Sequence, residues 1–454
     1  MAISASQGST DLATLLKTSP DSYVALGTLL SYNKPDNRDL LIETYGDQGI
    51  TGFLELTGAV KNAGTADHVQ YWEEGRLHKV LTTAAGGLTA ATEAELHVGS
   101  FSTGSEPCRL NDVLLSPGGQ RLVVTGFDAT NNEVLVKRLD GEDTTAETTT
   151  GKKFVIIGNI YAQGTSQPST FYQTDVQKRI NPFFITKETY QVNGSQATNI
   201  GWIDANGQGD YRWYVKGEMD TRKRFLNQRE MMMLFSEDEN TDNEGVALAS
   251  GTVTGSEGYF TAVEKRGIST TGDFDSLQDI DQIILLLDKE GAPSEYAMYV
   301  NTQTSLNMDD MVASGIATAT TAGLAGQFGS FNNDADMAVK LGFKSFTRGG
   351  YTFHKHDWKL LNDPTLLGAY ATPLFKGAMV PMTQVADAKT GKKAPALEMN
   401  FKSANGYNRE LEHWVTGGGV LGFNTDGDDV AKFHYRSECN LITRAANKHV
   451  ILKS

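Results

Sequence analysis

The stretch from Tyr211 to Phe235, YRWYVKGEMDTRKRFLNQREMMMLF, constrains this chain more than any other part of it. Almost no other strong helical pattern precedes it. Apolar residues at Val215, Met219, Leu226 and Met233 advance by four, seven and seven, which keeps one stripe facing a single direction on a helix. Glu218, Asp220, Arg222, Lys223, Arg224, Arg229 and Glu230 fill the other faces. At 1.5 Å per residue the rod would span roughly 37 Å, about the width of a small domain. A single rod between β-rich arms suits a protein that reaches its neighbours better than one folded around a pocket. An ionised carboxylate at Leu226, on the expected buried stripe, should abolish soluble assembly.

The chain has 454 residues, enough for two to four domains and a substantial core. A hydrophobic fraction of 39% and a charged fraction of 21% belong to a soluble globular protein. The net charge of −15 argues against a general nucleic-acid-coating role, which needs clustered Lys and Arg to displace counterions. Cys108 and Cys439 lie far apart in unlike contexts and read as buried or half-buried thiols rather than a disulfide framework. MAISASQGSTDLATLL lacks the basic flank and apolar core of a secretion signal, and no apolar run approaches the ~20 residues that cross a bilayer. Use in a reducing cytoplasm is expected, and Asn193-Gly194-Ser195 is then a turn rather than a glycosylation site.

Short β-branched runs follow Asp67. HVQYWEEGRLHKVL reads as a hairpin bending at Glu74-Gly75. RLNDVLLS, QRLVVTGF, EVLVKRL and KFVIIGNIYA are strands separated by turn-rich segments, which together predict a small antiparallel β module. The Thr-rich stretch Asp143 to Thr150 reads as a mobile loop tip. Beyond the long helix, the acidic run Ser236 to Gly245 must be solvated. Asp275 with Gln278 resembles a capping box, Leu277, Ile280, Ile284 and Leu287 follow at helical spacing, and Gly291 is a natural stop. EYAMYVN (Glu295 to Asn301) is a buried strand, a second helix covers about Ser305 to Val312, and residues 314–334 read as a loop. Phe343 to Leu361 gives a further hairpin. EMNFKS, RELEHWVTG, AKFHYRSE and KHVILKS return as strands.

Candidate chemistry is sparse. His354 and His356 alternate along a strand and would share a face, yet no third metal ligand can be assigned. Asn424 to Asp429 imitates part of a calcium loop without its terminal bidentate Glu. Lys389 to Lys393 lacks the first Gly and the Ser or Thr of a phosphate loop. There is no nucleophile elbow, zinc-protease pair or dinucleotide fingerprint. No catalytic residue, cofactor or metal is expected.

The order of parts resembles that of a tailed-bacteriophage major capsid protein, with the Johnson fold shared by encapsulins and the herpesvirus capsid floor. The likeness is carried by YWEEGRLHKVL (Tyr71 to Leu81) as the tip region of an extended loop, and by GEMDTRKRFLNQREMMMLFSEDEN (Gly217 to Asn240) as a spine helix with its exit. DFDSLQDIDQIILLLDKEG (Asp273 to Gly291) with YAMYVN is similar to the first helix and strand of an axial domain, and Gly350 to Gly368 to a strand leading into an Asn-Asp-Pro turn. AKTGKKAPALEMNF and GYNRELEHWVTG suggest kinship with the crAss-like phage branch.

The resemblance implies an α+β class with an N-terminal arm at 1–65, an extended loop with β insertion at 66–165, and a peripheral domain at 166–272 carrying the spine helix 211–235. An axial domain at 273–430 and C-terminal return strands at 431–454 complete it. It implies self-assembly as hexamers and pentamers into an icosahedral shell in the host cytoplasm, enclosing double-stranded DNA without sequence-specific binding. Trp72, Glu73, Arg76, Arg222, Lys223 and Arg224 are the inter-subunit contact candidates, although the basic trio reads equally well as a solvated helix face. Residues 1–65 are too short and polar for a built-in scaffold, so a separate scaffolding protein is implied, with a portal, possible decoration proteins and no membrane. Competing readings are an encapsulin-like compartment, a tail-tube or other virion structural protein, and a secreted glycan-binding β protein.

Overall fold

The computed structural model describes residues 60–174, 176–198, 213–238, 246–248, 251–253, 255–321, 345–363, 365–369, 374–382, 385–386, 393–404, 406–418, 425 and 427–454. Residues 1–59 of the N-terminal arm, most of the acidic run, residues 322–334, Asn424 and most of Lys389 to Lys393 therefore lie outside the described residues. The chain divides into two compact units, Tyr71–Arg179 and the remainder.

The unit Tyr71–Arg179 contains a closed six-stranded barrel in the order Val80–Leu88, Ala94–Val98, Glu133–Arg138, Arg121–Asp128, Asp112–Leu115 and Lys153–Asn159. Every pairing around it is antiparallel. Strict alternation fills it: Leu96, Leu122, Val124, Val134, Val136 and Phe154 point inward and are fully buried. Closure removes both sheet edges, which an open five- or six-stranded module would leave exposed.

Two expectations for this region are corrected. His68–Glu74 does not fold back on Val80–Leu88; it pairs with Val176–Pro182. The barrel claims both edges of Val80–Leu88, so no edge is left for a local hairpin. The Thr-rich stretch is also fastened rather than free. Its Thr144 hydroxyl donates to the carbonyls of Thr89 and Ala91 at 2.8 and 2.9 Å. Glu147 accepts from Ser116 Oγ at 2.6 Å and Gln120 Nε2 at 2.9 Å, and exchanges backbone bonds with Leu88. Gly87 makes that approach possible: its φ is +60°, and a Cβ there would stand 2.2 Å from the Glu147 carbonyl oxygen.

The second unit holds two sheets. In the first, the fourteen-residue strand Val430–Thr443 is central, pairing along one edge with Phe184–Asn193 and along the other with Leu397–Phe401 and Glu412–Gly417. Val60–Asn62 adds a parallel edge to Leu397–Phe401. The second sheet runs Ile268–Thr271, Val450–Lys453, Phe375–Pro381, Glu295–Val300, Tyr351–Asp357, Ser345–Arg348. Its middle strands are buried on both faces. Ala297, Tyr299, Ala378 and Ile451 join a core with Met233 and Leu234 of the long helix and with Phe260. Tyr296, Met298, Met379 and Val450 join the opposite core with Ile280, Ile283, Leu287 and Met308. This explains why EYAMYVN is apolar without alternation.

Helix Leu277–Lys289 starts one residue later than its sequence signal suggested. Ser276 is the N-cap and Asp279 closes the capping box; the Ser hydroxyl reaches the Gln278 N–H where Asp275 was expected to act. Gly291, at φ +60°, follows its end. The next helix is longer than expected, Thr302–Thr321, and absorbs the start of the segment read as a loop. Asn301 caps it through a 2.8 Å bond from the Thr304 N–H.

The long helix is present as Trp213–Phe235, but its inward face is not the predicted stripe. Of that stripe only Met233 is buried; Met219 is exposed and Val215 and Leu226 are half-buried, whereas Phe225 is fully buried. At 100° per residue the predicted stripe lies roughly 80–120° round the helix from Phe225. The sheet selects the face. On its helix side it offers the cross-strand rows Tyr190–Phe433–Val415 and Val192–Ala431–Gly417, which form one core with Phe225 and Tyr435. The Phe225 ring packs against Tyr435 at 5.8 Å between centroids.

Candidate interaction surfaces

The outer wall of the barrel carries an apolar row in register. Val80 lies opposite Val155, and Val155 opposite Leu115. Val80 and Val155 remain 40% and 43% exposed, and Ile157, two residues along the strand from Val155, is 55% exposed. Leu77, just before the row, is 78% exposed. The inward partners of these strands already fill the interior, so the outer row is available to something else.

Of the candidates read from the sequence, Trp72 and Arg76 are exposed. Glu73 is half-buried and accepts from Arg179 Nε at 3.2 Å, so its charge is already matched within this unit. Arg222, Lys223 and Arg224 are all exposed on the long helix. Other charges of that helix are engaged locally: Lys216 pairs with Asp220 at 2.8 Å, and Arg229 Nη1 donates to the Glu410 carbonyl at 3.1 Å. Glu218 accepts from the Tyr435 hydroxyl.

The sheet face away from the long helix is polar and cross-linked by side chains. Its rows are Lys187–Arg436–Glu412 and Thr189–His434–Trp414. Arg436 bonds Glu412, which lowers the carboxyl pKa against the opposing effect of burial. The same guanidinium lies 4.9 Å from the Trp414 ring centroid, and that ring stacks on His434 at 5.1 Å. Lys187 and these polar rows blunt the edge strand Phe184–Asn193 against indiscriminate pairing.

The buried titratable groups serve structure. Cys108 and Cys439 are free and buried, as expected from the sequence, and burial pushes their thiols up to about 12 and about 11. Such thiols are poor nucleophiles at neutral pH. Asp112, fully buried at one end of the barrel, accepts from the Arg109 N–H at 2.9 Å and from the Tyr172 hydroxyl. His356, by contrast, is exposed and stacks on Tyr299 at 5.1 Å. Asn193 caps the short helix Gly194–Ala197 through the Gln196 N–H, so the sequon is a cap. These are the features of an α+β chain whose conspicuous assets are surfaces.

No family model matches the chain, and no curated protein matches it. Solved structures do. One from Mycobacterium phage Ogopogo aligns with a TM-score of 0.44 and 6% identity, covering 92% of this chain and 96% of that one. The capsid of Myoviridae phage XM1 aligns at TM-score 0.40 and 10% identity over 96% of this chain and 99% of that one. The capsid structure of cyanophage P-SCSP1u gives 0.38, 10%, 96% and 99%.

Proposed function

We propose that this chain is the major capsid protein of a tailed phage, a structural subunit that assembles through hexamers and pentamers into the closed shell around the DNA. The observation that carries the reading is the row of exposed Val80 and Val155 beside half-buried Leu115, with exposed Leu77 and Ile157, an apolar face outside an already filled barrel. A subunit that meets copies of itself needs such faces; a monomeric enzyme does not. The spine helix braced on its sheet supports the same reading, because it supplies a stiff platform with the Arg222-Lys223-Arg224 face left outward. Net acidity suits a container that holds DNA by enclosure rather than by gripping phosphates. Trp72 and Arg76 are contact candidates in this scheme. A separate scaffolding protein, a portal and assembly in the host cytoplasm belong to the proposal.

Negative-stain microscopy with sedimentation of the purified chain tests it. Closed shells or ring-shaped capsomers are expected. Long tubes would favour a tail component instead, and a monodisperse monomer at high concentration would overturn the assignment.

A further inference from the structure

On the outer wall of the barrel, Glu95 and His97 alternate along Ala94–Val98, and Glu133 lies directly across the ladder from His97. The residues between them, Leu96 and Val134, are fully buried in the barrel core and fix the backbone beneath. Ligand atoms of the three side chains all lie within 4.8 Å of one another. His97 Nδ1 stands 3.4 Å from Glu133 Oε1. Two donors at ~2.1 Å from a tetrahedral ion are ~3.4 Å apart, so this separation already suits Zn²⁺.

The imidazole is also seated. Its ring lies over Gly86, where a Cβ would come within 2.5 Å of Cδ2. Gly86 has φ +105° and sits where the pairing of Val80–Leu88 with Ala94–Val98 slips register. The irregularity gives the ring its place on the wall. Among the described residues no Lys or Arg ion pair neutralises Glu95 or Glu133, whereas neighbouring Glu93 has Lys137 at 3.6 Å.

We propose that Glu95, His97 and Glu133 form a binding site for a divalent transition-metal cation, with Zn²⁺ the best match. Two carboxylates and one neutral imidazole balance the dication's charge, and a hard alkaline-earth ion would not favour the nitrogen donor. Three protein donors leave the remaining position to water. Because the ligands come from two adjacent strands, the ion clips Ala94–Val98 to Glu133–Arg138 and stabilises the barrel. The site is independent of the assembly reading.

The test uses the full chain, stripped with chelator and titrated calorimetrically with Zn²⁺ and, separately, Ca²⁺. Wild type is expected to take Zn²⁺ in preference to Ca²⁺ and to melt at a higher temperature with it. His97→Ala and Glu133→Gln should lose that binding event, and Glu95→Gln should weaken it at least about tenfold. His354→Ala should leave it intact. Circular dichroism without metal identifies any variant that fails to fold, and the near-isosteric Gln variants then decide. Superimposable isotherms for wild type and the Gln variants, or no Zn²⁺ uptake by wild type, would overturn the site.

Discussion

The ring of Phe225, on the long helix, lies 5.8 Å from the ring of Tyr435, on the central strand of the sheet beneath it. Tyr435 in turn donates its hydroxyl to Glu218, nearly two turns earlier on the same helix. One strand residue therefore holds the helix by an apolar and a polar contact together.

Phe225→Ala should cost about 3–5 kcal/mol, because it empties a fully buried aromatic site. Leu226→Asp should cost clearly less, since Leu226 is only half-buried and its carboxylate can reach water. Thermal melts of both variants decide the matter. Equal losses would mean that the helix face has been misassigned.

Glu147→Ala should loosen the Asp143–Thr150 loop. It removes the carboxylate acceptor of Ser116 Oγ and Gln120 Nε2, leaving them the Gln120 N–H and the Thr145 carbonyl, at a cost of about 1–3 kcal/mol. Limited proteolysis should show new cleavage within the loop while the far side of the barrel stays protected. A digestion pattern matching wild type would sink the latch.

His449 is fully buried, and burial pushes its pKa down to about 3. Its Nδ1 lies 3.3 Å from the Tyr259 hydroxyl. The unfolded chain takes up a proton near pH 6.5 that the fold refuses. Stability is thus intact above that pH and falls by about 1.4 kcal/mol per unit as pH drops towards 3. The thermal midpoint of His449→Asn should fall less steeply over this window than that of wild type. Parallel slopes would show that another group sets the acid response.

Val155→Lys alters the apolar row without touching the barrel interior. Its long side chain can lie along the wall with the ammonium in water, so the melting temperature should change little. Sedimentation should show assembly reduced or lost. Wild-type particles from this variant would remove the row from the contact surface.

How much of this was legible depended on how local each signal is. EYAMYVN and the helix Leu277–Lys289 announce themselves because their burial patterns are written within a dozen consecutive residues. The four strands from Asp112 to Asn159 were likewise marked by short β-branched runs between turns. The helix cap was misplaced by one residue because Asp275 and Ser276 are both good caps, and only backbone geometry separates them. The Glu95, His97 and Glu133 group had no signature in spacing, since the third member depends on which strand becomes the neighbour.

Local order along the chain thus settled which segments are helices and which are strands, since periodicity and turn chemistry act over a few residues. Long-range contact alone decided that the β module closes as a barrel, because the ladder between Val80–Leu88 and Lys153–Asn159 joins strands some seventy residues apart. It also decided which helix face turns inward: the Tyr190–Phe433–Val415 row packs with Phe225, while of the regular apolar stripe only Met233 is buried. Both outcomes are set by burial energy shared between segments, which neither segment encodes on its own.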